Sequence, residues 1–388
     1  MRIILPILSA VFLLNMIVTA DLSAGDRLPL SLGGYIKEMP SLQLDNNFEN
    51  PSLGNLVHNR LNFRWDITTN ADLRVESRNR LIYNEMLGDF PRYEDLLGQD
   101  DGLIDMSWVW LSDNSLFGHT MIDRFYLSWR TDNWRIRTGR QRVNWGINLV
   151  SNPNDLFNVY SFFDFDYPER PGTDAIRIQH YIDGMSSLEL AVSPSDNGKE
   201  TVAATRMNYN YMGYDLQAIA GYYRNRLALG AGWAGNLKEA GLKGEISWFY
   251  DLEKTEGVER GNFVAAAGMD YMFPGGTFGI VEFLYNGGYA RDPETAFMIT
   301  QPLRADNIMF SEFAVTVSAE HSFSPVLKGG LSFMALPDID AAFVMPNLDY
   351  SLARNFDMEL VGQIFAGGER TIFEQAGHSL FLSVQYSF

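Results

Sequence analysis

The sequence predicts an all-β fold, a transmembrane antiparallel up-and-down β-barrel of about eighteen strands (range sixteen to eighteen), with short turns at one end and long loops at the other. Three observations carry this. Apolar residues recur at every second position in many segments of ten or more residues, the period of a strand with one apolar face. The connections alternate between tight turns and longer loops, as they do in bacterial barrels. Beyond residue 24 no uninterrupted apolar stretch approaches the roughly 20 residues of a membrane helix, so the 46% apolar and 13% aromatic content is dispersed along the chain.

Taken in order, Met1-Arg2 precedes an apolar run from Ile3 to Ala20 broken only by Pro6, Ser9, Asn15 and Thr19. It reads as a secretory signal peptide, residues 1–24, with small-residue cleavage sites after Ala20 or Ala24. Residues 25–388 then form one barrel domain, without internal repeat or linker. Period-two segments lie near 30–44, 56–67, 71–85, 120–130, 133–142, 173–182, 185–193, 200–211 and 214–223. Others lie near 227–235, 239–250, 262–273, 277–287, 310–323, 326–335, 339–352, 355–366 and 378–388. In one, Leu61, Phe63, Trp65 and Ile67 alternate with Arg60, Asn62, Arg64 and Asp66; in another, Phe313, Val315, Val317 and Ala319 alternate with Glu312, Ala314, Thr316 and Ser318.

Every second connection is a Gly, Pro, Asn or Asp turn, as at Thr68-Thr69-Asn70, Asp132-Asn133, Asp183-Gly184, Met212-Gly213, Pro274-Gly275-Gly276, Ser324-Pro325 and Ala353-Arg354. The intervening set contains all the long ones, near 45–55, 86–119, 143–172, 251–261, 288–309 and 367–377. This parity decides the strand-like Ser107-Trp108-Val109-Trp110-Leu111. Counting it as a crossing gives an odd total and a long connection at the short-turn end, so it is expected as an excursion or strand extension at the long-loop end.

The final segment runs Leu380, Leu382, Val384, Tyr386, Phe388 at every second position and stops on an aromatic. This ending resembles the C-terminal signal by which Gram-negative outer-membrane β-barrel proteins are recognised for insertion. By that resemblance, Val384, Tyr386 and Phe388 are the insertion signal and the chain lives in the cell outer membrane. Its surroundings would be outer-membrane lipid and lipopolysaccharide, it would engage the barrel-insertion machinery, and its short turns would face the periplasm.

A formal net charge of −18 excludes a general nucleic-acid binder. Only six of the 30 basic residues are Lys, and twelve Arg fall between Arg60 and Arg142. On the polar phase of the early strands sit Arg60, Arg64, Arg74, Arg78, Arg80, Arg124, Arg130, Arg135 and Arg137. An Arg turned toward lipid would cost about 2–4 kcal/mol near the midplane, so this phase faces the lumen. The turns set the register: Arg64 opposite Arg74, Asn62 opposite Glu76, Arg60 opposite Arg78, and Arg130 opposite Arg135. Like charges directly opposed are destabilising and need compensation. The long connections carry carboxylates that can supply it, namely Asp89, Glu94, Asp95, Asp100, Asp101, Asp105 and Asp113 against Arg92, then Asp155, Asp164, Asp166 and Glu169. Two readings stay open: an Arg-lined wall that guides anions through an aqueous pore, and a salt-bridge lattice with Glu76, Asp66, Glu189, Glu245, Glu282, Glu312, Glu320 and Glu359.

Gly139-Arg140-Gln141-Arg142-Val143-Asn144-Trp145-Gly146, then Asn152 to Asn158, then Glu169-Arg170-Pro171-Gly172-Thr173-Asp174-Ala175, is similar to a pattern in porin-like outer-membrane proteins, the group that includes the alginate-export barrel and related porin families. The resemblance implies an eighteen-stranded wall with infolded loops that passes anionic solutes, and it adds Arg140 to the pore lining.

Catalytic chemistry is not indicated. There is no cysteine, the five His (58, 119, 180, 321, 378) are isolated, and no nucleophile-base, metal-ligand or nucleotide-binding spacing stands out. Asp45-Asn46-Asn47 and Asn152-Pro153-Asn154-Asp155 offer oxygen ligands of the kind Ca²⁺ prefers, but only weakly. The expectation is therefore a channel without cofactor, metal or enzymatic activity, for passive passage of a small anionic or polar solute. The alternative is a barrel sleeve or docking component of an envelope export or electron-transfer complex, with a periplasmic or surface partner protein.

Overall fold

The computed structural model describes residues 29–388 except 86, 88–96, 101, 255–259, 290–302, 369–370, 372 and 374–375. The expected signal peptide (1–24) and the loop residues Asp89, Arg92, Glu94, Asp95 and Asp101 lie outside the described residues.

One antiparallel sheet closes on itself. Its early strands are β1 (Leu30–Leu44), β2 (Ser52–Thr68), β3 (Ala71–Asn84), β4 (Ser107–Asp113), β5 (Leu116–Arg130), β6 (Trp134–Gln141), β7 (Thr173–Tyr181), β8 (Ser187–Ser193) and β9 (Val202–Tyr211). They continue as β10 (Tyr214–Tyr223), β11 (Arg226–Leu237), β12 (Ala240–Asp251), β13 (Gly261–Phe273) and β14 (Thr277–Asn286). The last are β15 (Phe313–Ser324), β16 (Leu327–Leu336), β17 (Ala341–Ala353), β18 (Phe356–Ala366) and β19 (His378–Ser387). Apart from β4, successive strands pair in sequence order, β3 with β5, and β1 pairs with both β2 and β19. The backbone of Phe388 exchanges two hydrogen bonds of 3.0 Å with Gly34 across that seam. Closure removes the edge around the wall, as a lipid-immersed sheet requires, save along the outer side of the short β4.

The wall has eighteen positions because β4 and β6 share one. One edge of β5 pairs along its length with β3. On its other edge, Phe125–Arg130 pair with β6 and Leu116–Met121 pair with β4. The segment Ser107–Leu111 thus extends the wall above the short β6 without adding a crossing. Above Gln141 the chain leaves the wall and turns inward. Gly139 makes this geometry possible: its φ is +114°, and a Cβ there would lie 2.2 Å from the carbonyl oxygen of Phe125.

Side-chain phase separates the two faces. Trp65, Phe125, Leu127, Trp129, Leu190, Ile246, Phe283, Val317 and Leu382 are exposed and project outward, an apolar belt on every side of the wall. Trp129, Trp134, Tyr209 and Tyr211 cluster toward the short-turn end; Trp108, Trp110, Trp248 and Phe263 lie toward the other. This is the aromatic girdling of transmembrane barrels. The apolar core lies inside the barrel, between the inner wall and an infolded segment: Val143, Trp145, Leu156 and Phe163 pack against Ile219, Phe249, Val264, Leu284, Phe343, Phe365 and Phe373.

Candidate functional site

The lumen is shaped by residues 142–172, which enter from the top of β6, travel round the inner wall and return to β7. Buried carboxylates on inward positions hold them. Glu189 on β8 accepts the Trp145 indole N–H at 2.6 Å, and Gln217 on β10 donates to the Trp145 carbonyl at 2.8 Å. Glu245 on β12 accepts the backbone N–H groups of Ile147, of Asn148 at 2.6 Å and of Asn154 at 2.8 Å. Glu282 on β14 accepts those of Val150 at 3.2 Å and Ser151 at 2.6 Å. Backbone donors drawn away from water need acceptors, and ionised ones bond most strongly.

Beyond Phe163, whose carbonyl accepts from Gln363 on β18 at 2.8 Å, the segment meets the basic side of the wall. Lys37 on β1 donates to Asp166 at 2.8 Å, the Tyr35 hydroxyl to Glu169 at 3.3 Å, and Arg124 on β5 to the carbonyls of Glu169 and Arg170 at 2.6 and 2.9 Å. Residues 303–312 fold in from the top as well: Arg226 pairs with Asp306, Asn286 donates to the carbonyls of Met309 and Ser311 at 2.7 and 3.0 Å, and Phe310 stacks near Phe163.

The expected register is present: Arg64 faces Arg74, Asn62 faces Glu76, Arg60 faces Arg78, and Arg130 faces Arg135. A further like-charged pair, Arg137 and Arg177, joins β6 to β7. The individual arginines fare differently. Arg60 is fully buried between Glu76 (2.7 Å) and Asp123 (2.5 Å). Arg64 pairs with Asp66 at 2.7 Å and Arg74 approaches Asp72 at 3.5 Å. Arg80 donates to the Leu97 carbonyl at 2.9 Å. The guanidinium of Arg78 lies 3.8 Å from the Tyr167 ring centroid, and that of Arg137 lies 5.3 Å from Tyr126. Among the described residues, Arg78, Arg130, Arg135 and Arg137 make no ion pair with a carboxylate.

Arg140 differs from the rest. It stands opposite Phe125, in the outward phase, and is buried in a cluster of its own. Its Nε and Nη2 donate to both oxygens of Asp174 at 2.9 Å, its Nη1 donates to Asp100, and its Nη2 donates to the carbonyl of Ile104 at 2.6 Å. Arg140 therefore fastens the segment entering β4 to the top of β7, on the phase opposite to Arg135 and Arg137 of the same strand. Alternation along β6 already puts it in that phase.

Of the expected lattice partners, Glu76 and Asp66 bind arginines as described, and Glu189 gathers Arg177 (2.5 Å) and Arg206 (2.9 Å). Arg177 and Arg206 were not singled out from the sequence, although both lie on inward phases. Glu245 and Glu282 hold backbone, not arginine. On the far side of the lumen, Glu320 on β15, Asp349 on β17 and Glu359 on β18 are on the inward phase, and Asp349 faces Glu359 directly. β15 lies nine wall positions from β6, half-way round.

At the loop end, a cavity of about 460 Å³ is lined by Leu156, Phe157, Asp174, Asp196, Glu200, Arg224 and Arg304, among others. Among the described residues no group of three or more metal-ligating side chains is assembled. Asp45 is occupied by its own turn, accepting the N–H groups of Asn47 and Glu49 at 3.0 and 2.8 Å.

No protein-family model matches the chain, and comparison with curated proteins finds no match. Solved structures do resemble it. Acinetobacter baumannii OccAB1 aligns with a TM-score of 0.56 at 8% identity, over 95% of this chain and 99% of that one. Acinetobacter baumannii OccAB2 gives 0.58 at 9% over 92% and 98%. The outer membrane protein OpdK of Pseudomonas aeruginosa gives 0.56 at 10% over 92% and 98%. At such identities the likeness is one of fold: this chain has the closed eighteen-strand architecture of outer-membrane porins.

Proposed function

We propose that this chain is an outer-membrane channel for passive passage of small anionic or polar solutes, and that its arginine-rich lumen sets an anion preference. The observation that carries the reading is the set of inward arginines that make no ion pair with a carboxylate among the described residues, Arg78, Arg130, Arg135 and Arg137. In a low-dielectric wall their field extends into the lumen, raising local anion concentration. The facing carboxylates Glu320, Asp349 and Glu359 complete a transverse field. The fold shared with outer-membrane porins supports the location, as does the outward apolar belt. On this reading Val384, Tyr386 and Phe388 serve insertion, and the leader is removed after Ala20 or Ala24.

Planar bilayers test the reading. Purified protein is expected to give ohmic conductance with chloride favoured over potassium, and replacing Arg74, Arg78 and Arg135 by Glu is expected to reverse that order. Absence of any conductance from correctly folded protein would sink it. A second reading, a sleeve or docking partner in an envelope complex, draws support from the apolar packing between infolded segment and wall. Its signature would be stoichiometric co-purification of a periplasmic or surface protein, with no conductance from the barrel alone.

A further inference from the structure

Two arginines on the infolded segment belong to none of the wall pairs. Arg142 and Arg170 are half-buried, and neither makes an ion pair among the described residues. The Nε of Arg142 is buried with no hydrogen-bond partner. Asn158 ties their two stretches of backbone together, its Oδ1 accepting the Val143 N–H at 2.7 Å and its Nδ2 donating to the Pro171 carbonyl at 3.0 Å, and burial and then Arg170 disfavour the charge of Arg142. One acid lies close to both: Asp155 is fully buried, one of its oxygens has no partner, and burial pushes its pKa up to about 6. A single carboxylate, even when ionised, leaves two guanidinium groups with an uncompensated positive charge.

The arrangement is held from several sides. Arg124 grips the carbonyls of Glu169 and Arg170 at 2.6 and 2.9 Å. Arg170 takes a φ of +58° between Glu169 and Pro171, a left-handed conformation that strains a non-glycine residue. Its guanidinium stacks on the Tyr160 ring, which is itself fixed by a hydroxyl that donates to the Val150 carbonyl at 3.1 Å and accepts from Asn152 at 3.3 Å. Strain retained at a clamped, stacked and unpaired cation is what a preorganised anion contact requires.

We propose that Arg142 and Arg170 form an oxyanion subsite on the infolded segment, at which the phosphate or carboxylate group of a permeating solute is held in transit. Arg124 and Tyr160 are its positioning residues. The inference rests on the channel reading and deepens it, assigning retention of the solute to the segment and bulk ion preference to the wall.

The test uses the full-length protein in planar bilayers in KCl, with inorganic phosphate and, in a second arm, acetate added from the loop side. Both are expected to reduce the current in a saturable manner, and the arm with the lower half-blocking concentration identifies the preferred group. The double variant Arg142→Gln/Arg170→Gln is expected to raise that concentration at least tenfold, and Arg170→Lys to recover part of the block. Arg135→Gln is expected to move the KCl reversal potential while leaving the block in place. Arg170→Gly removes the charge and relieves the left-handed backbone, so it guards against misfolding. No block of the unaltered channel, or a block undiminished in the double variant and in Arg170→Gly, overturns the subsite. An absent chloride preference in the same membranes overturns the channel reading instead, so the two failures are distinguishable.

Discussion

Arg60 illustrates what a fully buried cation in this wall requires. Nη1 meets Asp123 at 2.5 Å, Nη2 meets Glu76 at 2.7 Å, and Nε donates to Asn62 at 3.1 Å. Asp123 reaches it because the β3–β5 register slips by one residue there, Glu76 facing Arg124 and Ser77 facing Ile122. Such a bulge re-aims a side chain. Replacing Arg60 by Leu would strand the buried Asp123, and a loss of roughly 3–5 kcal/mol is expected, read as a lower unfolding midpoint in detergent. Adding Asp123→Leu should recover most of it. Asp155 gives a pH prediction. Its folded pKa, about 6, lies above its ordinary 3.8. The folded state therefore holds the proton more tightly, and stability falls as pH rises from about 4 to about 6, by an amount on the order of 2–3 kcal/mol. Asp155→Asn should flatten that slope between pH 4 and pH 7; an unchanged slope in unfolding titrations would refute the assignment.

At the scale of elements, the infolded segment is positioned by a few acids more than by its own propensity. Glu245 alone satisfies three of its backbone N–H groups. Glu245→Ala is expected to loosen the segment, raising mean single-channel conductance and current noise, with Glu245→Gln intermediate; conductance identical to the unaltered protein would show that the segment is held elsewhere. The strands themselves were legible because period-two alternation and turn residues act locally. The role of Glu245 was not, since a lumenal Glu opposite an Arg and one opposite a loop backbone look alike in a strand pattern. Likewise the alternation of Trp108 and Trp110 identified a strand, and loop parity kept it out of the crossing count. Only pairing placed it beside Met121 to Leu116, above the shortened β6.

For the whole molecule, charge is partly sorted by side: among the described residues, arginines without an ion pair lie on β3, β5 and β6, and carboxylates lie on β15, β17 and β18, with Lys328 on β16 facing Asp349. A field of this kind is screened by salt, the Debye length falling from about 10 Å at 0.1 M to about 3 Å at 1 M. The chloride preference is therefore expected to shrink as KCl is raised over that range, while a selectivity independent of salt would point to pore width instead. On the channel reading proposed above, the sign of the preference follows from the local sorting and not from the net charge of −18.

By itself the sequence determined the barrel, the wall count and the pairs that the early arginines form across the turns. These follow from a period of two residues and from hairpin turns, which constrain only near neighbours in the chain. Tertiary structure decided which arginines meet a carboxylate among the described residues, that Arg140 fastens the segment entering β4 to β7, and that residues 142–172 circle the lumen on Glu189, Glu245 and Glu282. Those outcomes depend on groups up to 132 residues apart meeting in space, and alternation carries no information about which distant carboxylate a given cation or backbone N–H will find.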